Sequence, residues 1–524
     1  MNSAQRRGGT TTGKTTALRM APLLVGCLLV ASVIVPSTSG AATVGGSKPT
    51  QVNVTNDPYQ RFGEPQVVAN PTNPNNLVYF VLNAHTTYAC ERAEVDYCKV
   101  VNVPGVGNLP AGLLKTPGFE GVEAFYSFDG GRTWAQGSDV PCCVANRPNT
   151  LLSAGDPNLT VTADGTFYIA WDIYDPVSQI GFGGGIAVSK STDGGRHWSA
   201  PAHLTGTPYD RPWLMSDLST GTLYVTSGSE PLTGKLGAES TLEKNAPTSS
   251  ISDRWIVASR DGVHWTVPHR LGGGGVPGYS VGEDSFLAAG HGIVAVTFHI
   301  GAGSPDSTES SQACRYFVGT PAPCTVFETT TYHDLASSTD LECSTCWTRH
   351  SIPGLSAAGG TSLSYPVLVA SDPTRAGHFT VAALDAERTK YLVYQTFDAG
   401  KSWTPRATIV TNSATTQKFK PWLSYSSTGV LGLMWRSYTE QGSGPNLPYE
   451  IWAAISKNGG TTFSAPLKIS TAPSPAPDPA YNTLDDTSFL SLTGHSALVG
   501  WGDWRPGNVA GFFSAANLGD FKFR

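Results

Sequence analysis

A ring of antiparallel β-blades, a β-propeller, is the fold class that this 524-residue sequence predicts, and three observations predict it. A turn of the form Ser/Thr-x-Asp-x-Gly-x-x-Trp recurs, with small variations, five times along the chain. Seven segments repeat a second theme: a polar or charged cluster, an apolar strand, a short turn and another apolar strand. The composition suits many short strands joined by tight turns, with 58 Gly and 37 Pro beside 13 Trp, 19 Tyr and 20 Phe. Length alone would suggest several domains, but each unit of a repeat architecture brings its own share of core, so a single domain over 42–524 is expected.

Taken in order, the first element is an export signal over 1–41. Arg6, Arg7, Lys14 and Arg19 precede the apolar run Met20 to Val35, and the small residues Ser39, Gly40 and Ala41 follow. Gly8 to Thr15 satisfies the phosphate-loop pattern, but it lies in the charged part of this leader without the strand and helix that would aim backbone amides at a phosphate. No later run reaches the roughly 18 apolar residues of a membrane helix. Losing the leader removes four positive charges and no acidic ones, which takes the net charge from -6 to -10. That balance, with only 14% charged residues, excludes the basic face that nucleic-acid binding requires. Cys27 leaves with the leader. The remaining eight, Cys90, Cys98, Cys142, Cys143, Cys314, Cys324, Cys343 and Cys346, fall in the longest insertions and are expected to form disulfides in a secreted or cell-surface protein.

The five turns carry Ser127, Asp129 and Trp134; Ser191, Asp193 and Trp198; Ser259, Asp261 and Trp265; Thr396, Asp398 and Trp403; and Ser456, Asn458 and Phe463. Their spacing has a physical reading. The hydroxyl and carboxylate bond the turn's own amides, glycine supplies a positive φ, and the aromatic ring folds back onto the hairpin. These residues are therefore assigned to fold maintenance. The second theme opens at Glu64-Pro65, Asp156-Pro157, Asp210-Arg211-Pro212, Glu283-Asp284, Tyr365-Pro366, Lys420-Pro421 and Asp485-Asp486, which predicts seven blades, with six as the alternative. The last unit runs out near Phe513, while Gln51 to Thr55 offers a spare β pattern at the other end. Pairing of the two would close the ring and leave no open edge.

In such a ring the entries of the innermost strands converge on one central face. The clusters there are rich in charge for this chain, with Arg61, Glu64, Asp156, Asp172, Asp175, Arg211, Glu283, Asp284, Arg436, Asp485, Asp486, Asp503 and Arg505 among them. Paired carboxylates suit glycoside hydrolysis, in which one protonates the leaving oxygen and another acts across the sugar ring.

The five turns resemble the Asp box, or bacterial neuraminidase repeat, and Glu64 to Asn76 is similar to the opening of many secreted sialidase-like proteins. The resemblance implies blades with the box between the third and fourth strands, and an exo-acting hydrolase of a glycan or glycoconjugate. A sialidase would place arginines on the substrate carboxylate, here Arg61, Arg211, Arg436 and Arg505, with Asp156 or Asp210 as the acid and Tyr438 with Glu440 as the nucleophile pair. Sialidase propellers have six blades and open on an Arg-Ile-Pro-like sequence, whereas here Glu64 precedes Pro65 and the count is seven. Two other readings therefore stand beside it: an Asp-box hydrolase of another glycan class, and a propeller that binds glycan or protein without catalysis. A monomer is expected. No cofactor is expected either, since the aspartate-rich turns are compatible with calcium but match no ordered calcium loop.

Overall fold

The computed structural model describes residues 50–57, 61–84, 100–103, 107–110, 120–138, 140, 153–174, 185–204, 210–228, 254–266, 269–271, 286–300, 324–331, 347–355, 366–410, 412–413, 415–441, 447–477 and 485–523, all within the compact unit Gly46–Arg524. The leader, Asp175, Glu283, Asp284 and seven of the eight remaining cysteines lie outside the described residues. Cys324 is buried at the start of strand Cys324–Thr331, not in a loop.

The described chain is all β, with no α-helix. Seven four-stranded antiparallel sheets follow one another along the sequence, one per blade. Their innermost strands are Arg61–Asn70, Ser153–Val161, Asp210–Ser216, Phe286–Gly290, Leu368–Ser371, Lys418–Tyr425 and Phe489–Leu492, numbered blades 1 to 7. The seven-blade count thus holds. In blade 7 the fourth strand is Thr50–Asn53, which pairs antiparallel with Ala510–Asn517 in the register Thr50 to Ala515 and Asn53 to Phe512. The two chain ends therefore share one sheet, and the ring closes as its sequence pattern predicts.

All five boxes form the hairpin between the third and fourth strands of their blades, in blades 1, 2, 3, 5 and 6. In the first, the Ser127 hydroxyl donates to Asp129 at 2.8 Å and accepts from the Gly131 amide at 2.9 Å, while Asp129 accepts from the Arg132 and Thr133 amides. Trp134 closes the turn by donating its indole N–H to the Gly131 carbonyl at 3.0 Å. The other four repeat the hydroxyl-to-Asp (or Asn) bond and the glycine amide bond.

The box glycines also explain how blades pack. A Cβ on Gly131 would lie 2.3 Å from Phe513 of blade 7, on Gly195 2.6 Å from Val78 of blade 1, on Gly262 2.4 Å from Tyr168 of blade 2, and on Gly400 2.4 Å from Phe327 of blade 4. Each turn is thus seated on the preceding blade, at a place where only glycine fits. Side chains of the innermost strands stitch the same interfaces. Gln66 donates to the Pro157 carbonyl and accepts from the Leu159 amide, and Asn158 accepts from the Leu214 amide.

Candidate active site

Four innermost strands carry the same irregularity. In blades 1, 2, 3 and 6 the pairing with the second strand gains one residue between Gly63 and Gln66, Gly155 and Asn158, Asp210 and Trp213, and Phe419 and Trp422. Each is a β-bulge built on a charged residue followed by proline: Glu64-Pro65, Asp156-Pro157, Arg211-Pro212 and Lys420-Pro421. Proline has no N–H to lose from the ladder, which suits it to the unpaired position. The charged residue takes a left-handed backbone, with φ of 54° at Glu64, 47° at Asp156, 47° at Arg211 and 46° at Lys420. Such a conformation costs a non-glycine residue about 1–2 kcal/mol. Of eight non-glycine residues with positive φ among the described residues, these four sit at equivalent places and aim charge at the axis. Strain repeated at converging charged side chains is the mark of a built site.

The convergence centres on Arg211. Its guanidinium holds Glu64 through two bonds of 3.1 and 3.3 Å, Asp156 at 3.0 Å and Asp486 at 3.1 Å, and its backbone amide donates to the second Asp156 oxygen. Three carboxylates from blades 1, 2 and 7 thus share one cation on blade 3. Glu64 lies deepest, with a side chain 2% exposed; Asp156 and Arg211 are each 9% exposed, and Asp486 is outermost at 34%. Burial pushes the Glu64 carboxyl well above the usual range, and the charges of Asp156 and Asp486 add to the push, against the opposing pull of Arg211.

A second buried pair adjoins the first. Arg436, fully buried, grips Asp485 through two bonds of 2.6 and 3.0 Å and donates also to the Ser488 hydroxyl and the Thr487 carbonyl. Gly502 makes room for this carboxylate, since a Cβ there would lie 2.3 Å from Asp485. Lys420 donates to the Asp485 carbonyl, and burial lowers the affinity of its amine for a proton.

The remaining sequence candidates are dispersed around this centre. Arg61 is buried at the start of the blade 1 strand. Asp210 precedes the blade 3 bulge, its backbone in register with Gly228. Tyr438 is buried with its ring stacked on Phe419 at 4.3 Å, and Glu440 is exposed two residues beyond the end of strand Leu431–Tyr438. Arg505 is held by Asp503 through bonds of 2.8 and 2.7 Å. Sequence reasoning placed Glu64, Asp485 and Asp486 on the central face without giving them roles. The signal that would have singled out Glu64 is the charged-residue-proline pair, repeated at equivalent places in four blades.

Beneath the charges, the rings of Trp213, Phe286, Trp422 and Phe489 form a contiguous layer across the axis, with centroids 4.4–5.7 Å apart. A cavity of about 340 Å³ extends from this layer toward the turns that follow the innermost strands, on the Asp-box side. Apart from His495, its lining is apolar, hydroxyl-bearing or, at Asn70 and Asn158, amide-bearing. No carboxylate is among its lining residues.

Fold and turns together define a seven-bladed propeller of Asp-box blades. Residues 125–136 match the BNR/Asp-box repeat model, the segment that forms the first box. A search of curated proteins finds no match. Among solved structures the chain is similar to a protein of unknown function from Dyadobacter fermentans, at 12% identity and a TM-score of 0.41 over 90% of this chain and 98% of that one. It is also similar to an α-L-arabinofuranosidase from Fusarium graminearum, at 11% identity and a TM-score of 0.40 over 90% and 97% of the two chains. A sialidase from Trypanosoma rangeli aligns at 11% identity and a TM-score of 0.41 over 91% of this chain and 60% of that one.

Proposed function

We propose that the chain is an exported glycoside hydrolase whose reaction takes place at the charged face. The observation that carries this reading is the convergence of Glu64, Asp156 and Asp486 on Arg211 at strained, proline-backed bulges. The contacts of Glu64, Asp156 and Asp486 with the one guanidinium nitrogen Nη2 bring the paired carboxyl groups of a glycoside hydrolase together.

Glu64, whose burial favours the protonated carboxyl, is the group able to protonate a leaving oxygen, and Asp486, the most exposed, is the group able to act as nucleophile. Arg211 holds the two together, and Asp156 holds Arg211 by both its guanidinium and its backbone amide. A sialidase form of the same reading would instead call on Arg61, Arg211, Arg436 and Arg505 for the substrate, Asp156 or Asp210 as acid and Tyr438 with Glu440 as nucleophile.

The test is hydrolysis of a panel of fluorogenic glycosides, a sialoside included, by the mature chain. Asp486→Asn should lower kcat by about 10²-fold or more with the melting temperature unchanged, and Glu64→Gln by about 10²–10⁴-fold on substrates with poor leaving groups. Turnover that survives both changes would remove these roles. A folded chain that hydrolyses no member of the panel would favour the binding propeller.

A further inference from the structure

Resting on that reading, we infer that the sugar ring taken by the charged face carries no carboxylate: the substrate is an uncharged glycan. The argument is one of charge already committed. The centre holds three cations, Arg211, Lys420 and Arg436, and four acids, Glu64, Asp156, Asp485 and Asp486. The four acids outnumber the three cations, so these groups leave no net positive charge for an incoming anion.

The forks are also occupied. Both guanidinium nitrogens of Arg211 face Glu64, and one faces Asp156 and Asp486 as well; both of Arg436 face Asp485. Recognition of a substrate carboxylate depends on a free, planar fork of N–H donors. A substrate carboxylate would have to expel one of the protein's own, and for Arg436, whose side chain is 1% exposed, would have to reach it through the core. Leaving Asp485 buried and unpaired would then cost several kcal/mol. Arg505, the more accessible guanidinium, is closed on Asp503 in the same two-bonded way.

What the centre turns toward solvent is Asp486, a carboxylate. It repels an anionic sugar and accepts hydrogen bonds from the hydroxyls of a neutral one. The fork bonds that make the centre rigid are thus the same ones that set its preference.

The deciding experiment compares neutral and acidic probes on the mature chain. Fluorogenic glycosides of galactose, glucose, mannose, xylose and arabinose are set against those of N-acetylneuraminic and glucuronic acid, and the corresponding methyl glycosides are titrated by calorimetry. Turnover or binding of at least one neutral sugar, with the acidic probes weaker by 100-fold or more, is the expected result. Asp486→Asn should then narrow the gap by improving binding of the acidic probes. Preferential turnover or binding of the sialoside or the glucuronide overturns the inference while leaving the hydrolase reading in place. With turnover of neither class the hydrolase reading falls, and calorimetry still decides: neutral binding weakened by Asp486→Asn sustains the preference, and a chain that binds no neutral sugar overturns it.

Discussion

At the scale of single residues, the same carboxylate chemistry is set to opposite ends by its surroundings. In the boxes, the Ser402 hydroxyl, helped by the Ser402 amide and the Thr396 hydroxyl, holds Asp398 down to about 2 even though it stands at the surface. In blade 6 Asn458 makes the equivalent bonds without any charge, which identifies the hydrogen bonds and not the ionisation as the feature the turn requires. Glu64 is the reverse case, a carboxyl raised by burial. A raised value means that the folded state binds the proton more tightly than the unfolded chain. Its contribution to stability is therefore fully present below the ordinary glutamate range and is lost as pH rises through the raised value. Glu64→Gln, which is permanently neutral, should remove that limb. Melting temperatures measured from pH 4 to 9 should fall less steeply for the variant than for the parent, and parallel curves would mean that Glu64 does not carry this pH dependence.

Between residue and ring stand two recurrent elements, the box turn and the bulge. The turn was legible in sequence because its defining chemistry is local: the bonds of its hydroxyl, carboxylate and indole join residues no more than four positions apart. Its second task, seating each blade on the one before, was not legible. The partners of Gly131 and Gly400 come from other blades, Phe513 and Phe327. Gly400→Ala should accordingly destabilise by about 1–3 kcal/mol through overpacking, beyond the backbone strain alone. Gly221→Ala is the matched control, since its φ is 71° and nothing stands within 4 Å of the added carbon. Urea midpoints of the two variants give the comparison, and equal losses would mean that the φ matters and the seat does not. The bulge was half legible. Its charged-residue-proline pairs were visible as strand openings, but the left-handed turn that points Glu64, Asp156 and Arg211 at one another is a backbone fact. No periodicity encodes it. For the same reason the carboxylates that pair with Arg211 and Arg436, more than 45 positions away along the chain, were not legible as their partners.

For the whole molecule, the count of seven and the closure were readable because each blade repeats one hydrophobic pattern and because a strand was missing at one end and spare at the other. Deleting residues 43–58 should leave blade 7 with three strands and an unpaired edge along Ala510–Asn517. We expect a melting temperature lower by about 10 °C or more in a transition that remains cooperative, a shift of several kcal/mol for a chain of this size. An unchanged transition would mean that the closing strand contributes little.

That closing strand also imposes an order in time. Thr50 meets Ala515, so a strand that is made early must wait for one that follows 465 residues later. Closing so long a loop adds only a little entropy cost, since each doubling of length adds about 0.6 kcal/mol. The burden is kinetic, because contacts this distant in sequence form slowly. Until that later strand is made, six blades can stack while the seventh keeps a raw edge exposed, and that interval is when the growing chain is most open to mispairing with a neighbour.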